Sequence, residues 1–512
     1  MHDLIAQPFA RIADLIALHA RRQPQHPAFV QGGERLDYAG LDARMDRVAG
    51  ALQATGLAPG DCIAVCAASS IAYATVFLGA LRAGVVVAPL APGVTPQGLA
   101  QMVDNAGARL LFIDAGSQVA QGERQPPRIA LDGDPAAGQP LEEWLAAAGR
   151  APQPVPVEAA APFNIIYSSG TTGLPKGIVQ SHGMRWSHVQ RGLQYDYGAH
   201  TVTLLSTPLY SNTTLVLFFP TLAFGGTVLL MAKFDAAEYL RLAERHHVTH
   251  TMLVPVQYQR ILAQPDFARH DLSSFRFKFC TSAPFPAALK AEVLRRWPGG
   301  LVEFYGMTEG GGSCILDAHT YPDKLHTVGR PAATSDIRLI DDAGREVPPG
   351  EAGEVVGHSP GMMTGYHGQP DKTREAEWFA PDGKRFIRTG DIGRFDADGF
   401  LVLFDRKKDM IISGGFNIYP SDLEAALREH PAVQEAAVVG VPSEAWGETP
   451  VAFVVLRPGQ ALEADALKDW VNARVGKTQR LSALVLADEL PRNAIGKVLK
   501  RELREGWMST AR

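Results

Sequence analysis

At 512 residues the chain is too long for one hydrophobic core, so at least two domains are expected. Its 46% hydrophobic and 20% charged residues are ordinary for a soluble globular protein. A formal net charge of −5 excludes a general attraction to nucleic acid or anionic membrane, so any phosphate affinity must come from local sites.

The N-terminus interrupts its apolar residues with Asp3, Arg11 and Asp14 and lacks the apolar core of a secretory signal. To about residue 135, short apolar strands alternate with helices. Strands are predicted over Cys62–Cys66, Val85–Ala88 and Leu110–Ile113, and an amphipathic helix over Tyr38–Thr55. That alternation argues for an α/β architecture with a largely parallel sheet. Residues 134–162, rich in Ala, Pro and Gly, read as a surface connection.

The apolar stretch Phe163–Tyr167 then feeds the run Ser168–Gly177, which holds three glycines, four hydroxyl side chains and one lysine. Unhindered N–H groups, hydroxyls and an ammonium together suit a polyphosphate. Pro175 before the lysine and Gly177 after it depart from the common nucleotide P-loop, so a different phosphate chemistry is indicated.

From Thr201 to Ala232 no residue is charged, a length that suggests a membrane span. Pro208, Pro220 and Gly225-Gly226 divide it, and the better reading is strand Thr203–Ser206, helix Thr213–Ala223 and strand Thr227–Met231. Further strands are predicted at Thr249–Val254 and Phe275–Cys280. In the latter, Phe275, Phe277 and Phe279 alternate with Arg276 and Lys278 as one buried and one wetter face require. Short strands and Gly/Asp turns from about Ile337 to Phe404 suggest a small β section. After the charged run Asp405–Asp409, Ser421 and Glu424 fit a capping box for a helix that must stop before Pro431. Two strands (Ala436–Val441, Val451–Leu456) and a helix (Ala464–Val475) complete a compact α+β unit. Cys62, Cys66, Cys280 and Cys314 show neither Cys-x-x-Cys nor zinc-type spacing and read as free thiols of a reducing cytoplasm.

Taken together, Tyr167–Gly177, Pro208–Asn212, Tyr305–Glu309, Arg388–Asp391, Asp405–Pro420 and Pro491–Lys497 resemble, in order, the motifs of the adenylate-forming superfamily: acyl- and aryl-CoA synthetases, firefly luciferase and peptide synthetase adenylation domains. The resemblance implies a large N-terminal domain over 1–405 made of α/β subdomains plus the small β section. It also implies a hinge at 406–409 and a small mobile α+β C-terminal domain over 410–512. It implies an ATP-dependent carboxylic acid–CoA ligase, with ATP and CoA as co-substrates and Mg2+ as cofactor.

By the same resemblance, Ser168, Ser169, Gly170, Thr171, Thr172, Gly173 and Lys176 hold the β- and γ-phosphates. Tyr305, followed by Gly306, stacks on adenine. Thr308 bonds the α-phosphate, and Glu309 is the Mg2+ carboxylate. Ala283 and Pro284, after Ser282, line the adenine and acyl pockets. Asp391 takes the ribose hydroxyls with Arg406 beside it. Lys497 bridges the substrate carboxylate and the α-phosphate, and Lys408 is the hinge. Gly414 and Gly415 let pantetheine pass, and Lys477 and Arg480 are candidates for the CoA phosphates. Trp446 is either a platform for the CoA adenine or a core residue of the small domain.

The acyl pocket implied is lined by Tyr210, Ser211, Asn212, Met307, Gly310 and Cys314, with Gly310-Gly311-Gly312 leaving room for a tail. Ser211 stands where many such ligases carry histidine. Residues 201–232 contain no lysine or arginine to pair a second carboxylate, and no lone acid near the motifs awaits an amino group. A neutral-tailed aliphatic or aromatic acid is therefore expected. Transfer to a carrier-protein phosphopantetheine stands as the alternative to CoA. Luciferase-type oxidation or a degenerate nucleotide-binding scaffold are further readings; intact Lys176, Glu309, Asp391 and Lys497 oppose the scaffold.

Overall fold

In the computed structural model, residues 2–117, 126–149, 151–168, 176–413, 416–444, 446–476, 479–493 and 496–510 are described. Ser169, Gly170, Thr171, Thr172, Gly173, Gly414, Gly415 and Lys477 lie outside them. The chain forms two compact units, Met1–Ile337 with Gly357–Ile387, and Arg338–Val356 with Arg388–Arg512. The divisions fall within the strands Asp336–Ile340, Gly353–His358 and Arg385–Phe395.

The first unit carries two sheets. In the nine-stranded sheet Pro27–Gln31, Thr227–Leu230, Val202–Leu205, His250–Leu253, Phe277–Cys280 and Gly300–Tyr305 run parallel in that order. Antiparallel Glu34–Asp37 closes one edge, and Cys314–Asp317 with Arg330–Pro331 closes the other. The eight-stranded sheet centres on Cys62–Cys66 between parallel Val86–Leu90 and Ala108–Ile113. Beside Val86–Leu90 lies Pro162–Ser168, which returns as antiparallel Lys176–Ser181. Parallel sheets bury both faces under helices, and that is why Cys62–Cys66 and Val86–Leu90 are buried at every residue. Helix Tyr38–Ala54 starts where the Asp37 carboxylate accepts the Gly40 N–H at 2.8 Å.

The uncharged stretch folds as strand, buried helix Asn212–Ala223 with Pro220 inside it, and strand. Among the described residues no helix is long and apolar enough to cross a membrane. Phe277–Cys280 departs from the predicted alternation: Lys278 is fully buried, and its ammonium donates to the carbonyls of Pro298 (2.6 Å) and Gly299 (2.7 Å). A central strand of a sheet covered on both faces has no wet side, so the lysine satisfies loop carbonyls instead. All four cysteines are buried and unpaired. Burial pushes the Cys62 thiol up to about 12 and Cys66 to about 11, with Cys280 and Cys314 also raised.

The second unit pairs Asp391–Phe395 with Leu401–Arg406 and adds a five-stranded sheet of Phe416–Ile418, Ile411–Ser413, Gly447–Leu456 and Val433–Ser443, with Ala483–Leu486 parallel to Gly447–Leu456. Its core gathers Ile411, Leu423, Leu427, Val438, Val454, Leu467 and Val471. The helix after the charged run is Pro420–Arg428, and the expected capping box does not form. Asp405 accepts the Ser421 N–H at 2.9 Å, while Glu424 accepts the Val438 N–H at 2.9 Å and pairs with Lys500 at 2.8 Å. A carboxylate brought in from the strand Leu401–Arg406 has replaced the local cap.

Candidate active site

Residues 169–175 join two antiparallel strands whose terminal register pair is Ser168 with Lys176. That register delivers Lys176 to the strand end, where its Nζ lies 4.9 Å from the centre of the Tyr366 ring. Tyr366 comes from the two-residue strand Gly365–Tyr366, paired antiparallel to Ile178 and Val179. The pairing is extended by Thr364 N–H to Val179 O (2.9 Å) and His367 N–H to Gly177 O (2.7 Å). The Tyr366 hydroxyl donates to Glu309 Oε1 at 2.9 Å, and Met363 N–H donates to the Glu309 carbonyl at 2.7 Å. Burial, and then the Glu309 charge, raise the phenol above its ordinary range, so it remains a neutral donor. Ile178, Met363 and Ile387 pack beneath, with Met307 against them.

Thr308 and Asn212 are held from below. Gln180 Nε2 donates to the Thr308 carbonyl at 2.7 Å and reaches Asn212 Oδ1 at 3.4 Å. Arg185, fully buried, donates to Gln180 Oε1 and, at 3.0 Å, to Asn164 Oδ1. The hydroxyls of Thr213 and Ser282 meet at 2.5 Å. Ser282 adopts φ +79°, a conformation costly for a residue with a Cβ, and this bend presents partly buried Ala283 and exposed Pro284. Tyr305 stands opposite Cys314 in the antiparallel pair, and Cys314 is fully buried. Gly306 is exposed, while Met307, Thr308 and Glu309 keep partial exposure. Tyr210 is partly buried, and Ser211 is buried at the head of the helix Asn212–Ala223.

Room for a substrate tail is not what the triple glycine supplies. A Cβ on Gly310 would lie 1.9 Å from the Gly361 oxygen, and one on Gly312 would lie 2.6 Å from Ile337. A Cβ on Gly311 would meet Ile387 at 2.7 Å. These glycines let backbones pack together, and the space is already filled.

Glu309 forms no ion pair among the described residues, and the one hydrogen bond its carboxylate accepts from them comes from a neutral phenol. A carboxylate so placed fits a hard cation such as Mg2+. No group of three or more His, Cys, Asp and Glu among the described residues could hold a metal alone, so the remaining ligands would be phosphate oxygens and water.

In the second unit Arg388 clasps buried Glu354 through two bonds, at 3.1 and 2.7 Å. Thr389 Oγ1 accepts the Asp391 N–H at 3.0 Å across the left-handed Gly390. Asp391 faces Arg406 across the hairpin, and their ion pair measures 3.1 Å. Lys497 sits in a loop closed on itself: its N–H donates to Asn493 Oδ1 (2.9 Å), and its carbonyl accepts the Asn493 N–H (3.0 Å). Arg492 ties the Gly496 carbonyl at 2.6 Å. Burial lowers the Lys497 ammonium to about 8; Arg406 and Lys408 add to the shift, while Asp391 and Asp409 oppose it. Ribose, hinge and lysine candidates thus share one neighbourhood of this unit. Lys408 is exposed, as is Arg480. Trp446 is 61% exposed, which removes the core-residue reading.

Sequence reasoning missed Tyr366 and Gln180. Only the pairing of segments far apart in the chain reveals Tyr366; the hairpin motif could have directed attention to Gln180.

A family model described as AMP-binding enzyme matches residues 16–367, and one described as AMP-binding enzyme C-terminal domain matches 422–497. A feruloyl-CoA synthase from Amycolatopsis sp is 36% identical over 490 residues, covering 95% of this chain and 96% of that protein. Fatty acid–[acyl-carrier-protein] ligase ScoC from Streptomyces coeruleorubidus is 33% identical, covering 97% and 96%. Among solved structures, ATP-bound MatB from Rhodopseudomonas palustris superposes with TM-score 0.85 at 29% identity, covering 98% and 100%. MenE from Bacillus subtilis with its acyl-adenylate OSB-AMP gives 0.83 at 26%, covering 96% and 97%. The chain belongs to the AMP-binding enzyme family, the adenylate-forming acid–thiol ligases.

Proposed function

We propose that this enzyme joins a carboxylic acid to CoA in two steps. A substrate carboxylate oxygen attacks the α-phosphorus of ATP, the bond from that phosphorus to the α,β-bridging oxygen breaks, and pyrophosphate leaves with that oxygen. The CoA thiol then attacks the acyl carbon, gives its proton to solvent and expels AMP. Both partners of the first step are anions, so cations must be fixed before reaction rather than recruited from water. What supports this reading is the array Lys176–Tyr366–Glu309, a cation and a carboxylate on one ring. Bound Mg2+ would neutralise phosphate charge, with Glu309 as its protein ligand.

In this reading Lys176 binds phosphate, Thr308 the α-phosphate, Tyr305 the adenine, and Asp391 with Arg406 the ribose. Lys497 stabilises the charge shifting between carboxylate and phosphate. Lys408 is the hinge, so Lys408→Pro should alter the ratio of the two half-reactions. Exposed Trp446 belongs to the CoA face. Buried free thiols support a reducing, cytoplasmic setting. Pyrophosphate release across aliphatic and aromatic acids, with CoA or a carrier protein as acceptor, tests the proposal; an enzyme that releases none with any acid refutes it. ScoC motivates the carrier acceptor as second reading, and thioester formed on the carrier but not on CoA would favour it.

A further inference from the structure

Helix His182–Arg191 carries Arg185, His188 and Arg191 three residues apart, along one side. None forms an ion pair with a carboxylate among the described residues. Arg185 Nη1 and His188 Nδ1 are buried with no hydrogen-bond partner. A buried polar atom left unpaired in a native fold calls for an explanation, and an absent ligand is one.

The flanking arginines show where this side looks. Arg185 acts through Gln180 on the Thr308 carbonyl and Asn212. The Arg191 guanidinium lies 5.4 Å from the centre of the Phe304 ring. Phe304 and Thr308 bracket Tyr305–Met307, and Asn212 opens the helix expected to wall the acid pocket. His188 stands one turn from each arginine. Burial, then Arg185 and Arg191, hold its imidazole well below the ordinary value, so it is neutral at pH 7. Yet His188 and Arg191 keep accessible surface, as do only Asn212 and Val216 on the wall helix, four residues apart. The surroundings are aromatic: Phe304, the ring beside Arg191, meets Tyr195 edge-on at 6.0 Å, and Tyr195 meets Phe277 and Phe279 likewise at 5.3 and 5.0 Å. Asp317, on the strand paired with that of Phe304, acts on Tyr195, and burial raises its carboxyl.

We propose that His188 and Arg191 select arylcarboxylic acids carrying a ring hydroxyl at the end remote from the reacting carboxylate. A phenol donates to the neutral imidazole while its oxygen accepts from the guanidinium. An unsubstituted ring leaves both groups unpaired, the arrangement that discriminates most strongly in binding sites. A distal ammonium is repelled by Arg191. This inference rests on the acid–CoA ligase reading and narrows its substrate.

The test is kcat/KM for pyrophosphate release with matched acids: 4-hydroxycinnamate against cinnamate, and 3-(4-hydroxyphenyl)propionate against 3-phenylpropionate. Linear aliphatic acids and terephthalate, which carries a distal carboxylate, complete the panel. The wild type should favour the hydroxylated member by about 10- to 100-fold. His188→Phe and Arg191→Met should each compress that ratio to about threefold or less, and Arg191→Lys should retain part of it. A merely structural residue would change both members of a pair alike. The wild-type ratio decides the matter even if a variant does not fold. A ratio near one, a preference for aliphatic acids or terephthalate, or variants that keep the ratio would overturn the inference and leave the ligase reading intact. Absence of turnover with every acid would take both down.

Discussion

In the first unit Lys176, Tyr366 and Glu309 come from three segments far apart in the chain, joined by sheet register and close backbone packing. In the second, Asn493, Gly496 and Lys497 come from one loop tied by its own hydrogen bonds. The contrast teaches where damage should spread. Groups placed by long-range register are coupled to the fold, whereas groups placed by a short loop are separable from it.

The sharpest test of that separability is Lys497→Ala. Acyl-AMP formation should fall by about a thousandfold, a loss of about 4 kcal/mol of transition-state stabilisation. Thioester formation from synthetic acyl-AMP should stay within about threefold, measured in single-turnover experiments. Equal losses in both steps would break the comparison. Next comes Gly310→Ala, whose new Cβ meets the Gly361 oxygen at a residue with φ +78°. It should destabilise the first unit by about 2–4 kcal/mol, read from its denaturant midpoint.

A smaller effect is expected for Tyr366→Phe, which keeps the ring beneath Lys176 but removes the donor to Glu309. MgATP affinity should weaken about tenfold by calorimetry, a loss of about 1.4 kcal/mol. Metal-free ATP affinity should change less, and equal weakening of both would argue against Glu309 as the metal carboxylate.

The smallest effect is one of pH. On the proposed role of Lys497 its ammonium acts in adenylation, so the rate should decline above about pH 8, where the folded enzyme releases that proton. Stability moves the other way. The unfolded lysine holds its proton toward 10.5, so between about 8 and 10.5 the unfolded state binds more protons and the fold gains stability as pH rises. A rate flat to pH 10 would show that the ammonium is not required.

Much of this was legible from local pattern. Cys62–Cys66 is the predicted strand, and the proline-broken uncharged stretch is the predicted strand, helix and strand. The failures share a cause: a partner distant in the chain decided the outcome. Lys278 answers to carbonyls of the loop at Pro298-Gly299, Ser421 to Asp405, and the triple glycine to the backbone at Gly357–Gly361. Gly365-Tyr366 looks like any turn in a β section until its register against Ile178 and Val179 is known. Spacing alone also leaves open whether Arg185, His188 and Arg191 are solvated or inward; the aromatic rings packed against the two arginines decide it.

The sequestered thiols have a practical consequence. With all four native sulfurs buried and held in the unreactive protonated form, maleimide reagents should ignore the wild-type enzyme. A cysteine engineered at an exposed position of each unit would then take fluorophores without background, and energy transfer between the dyes would follow the two units through turnover.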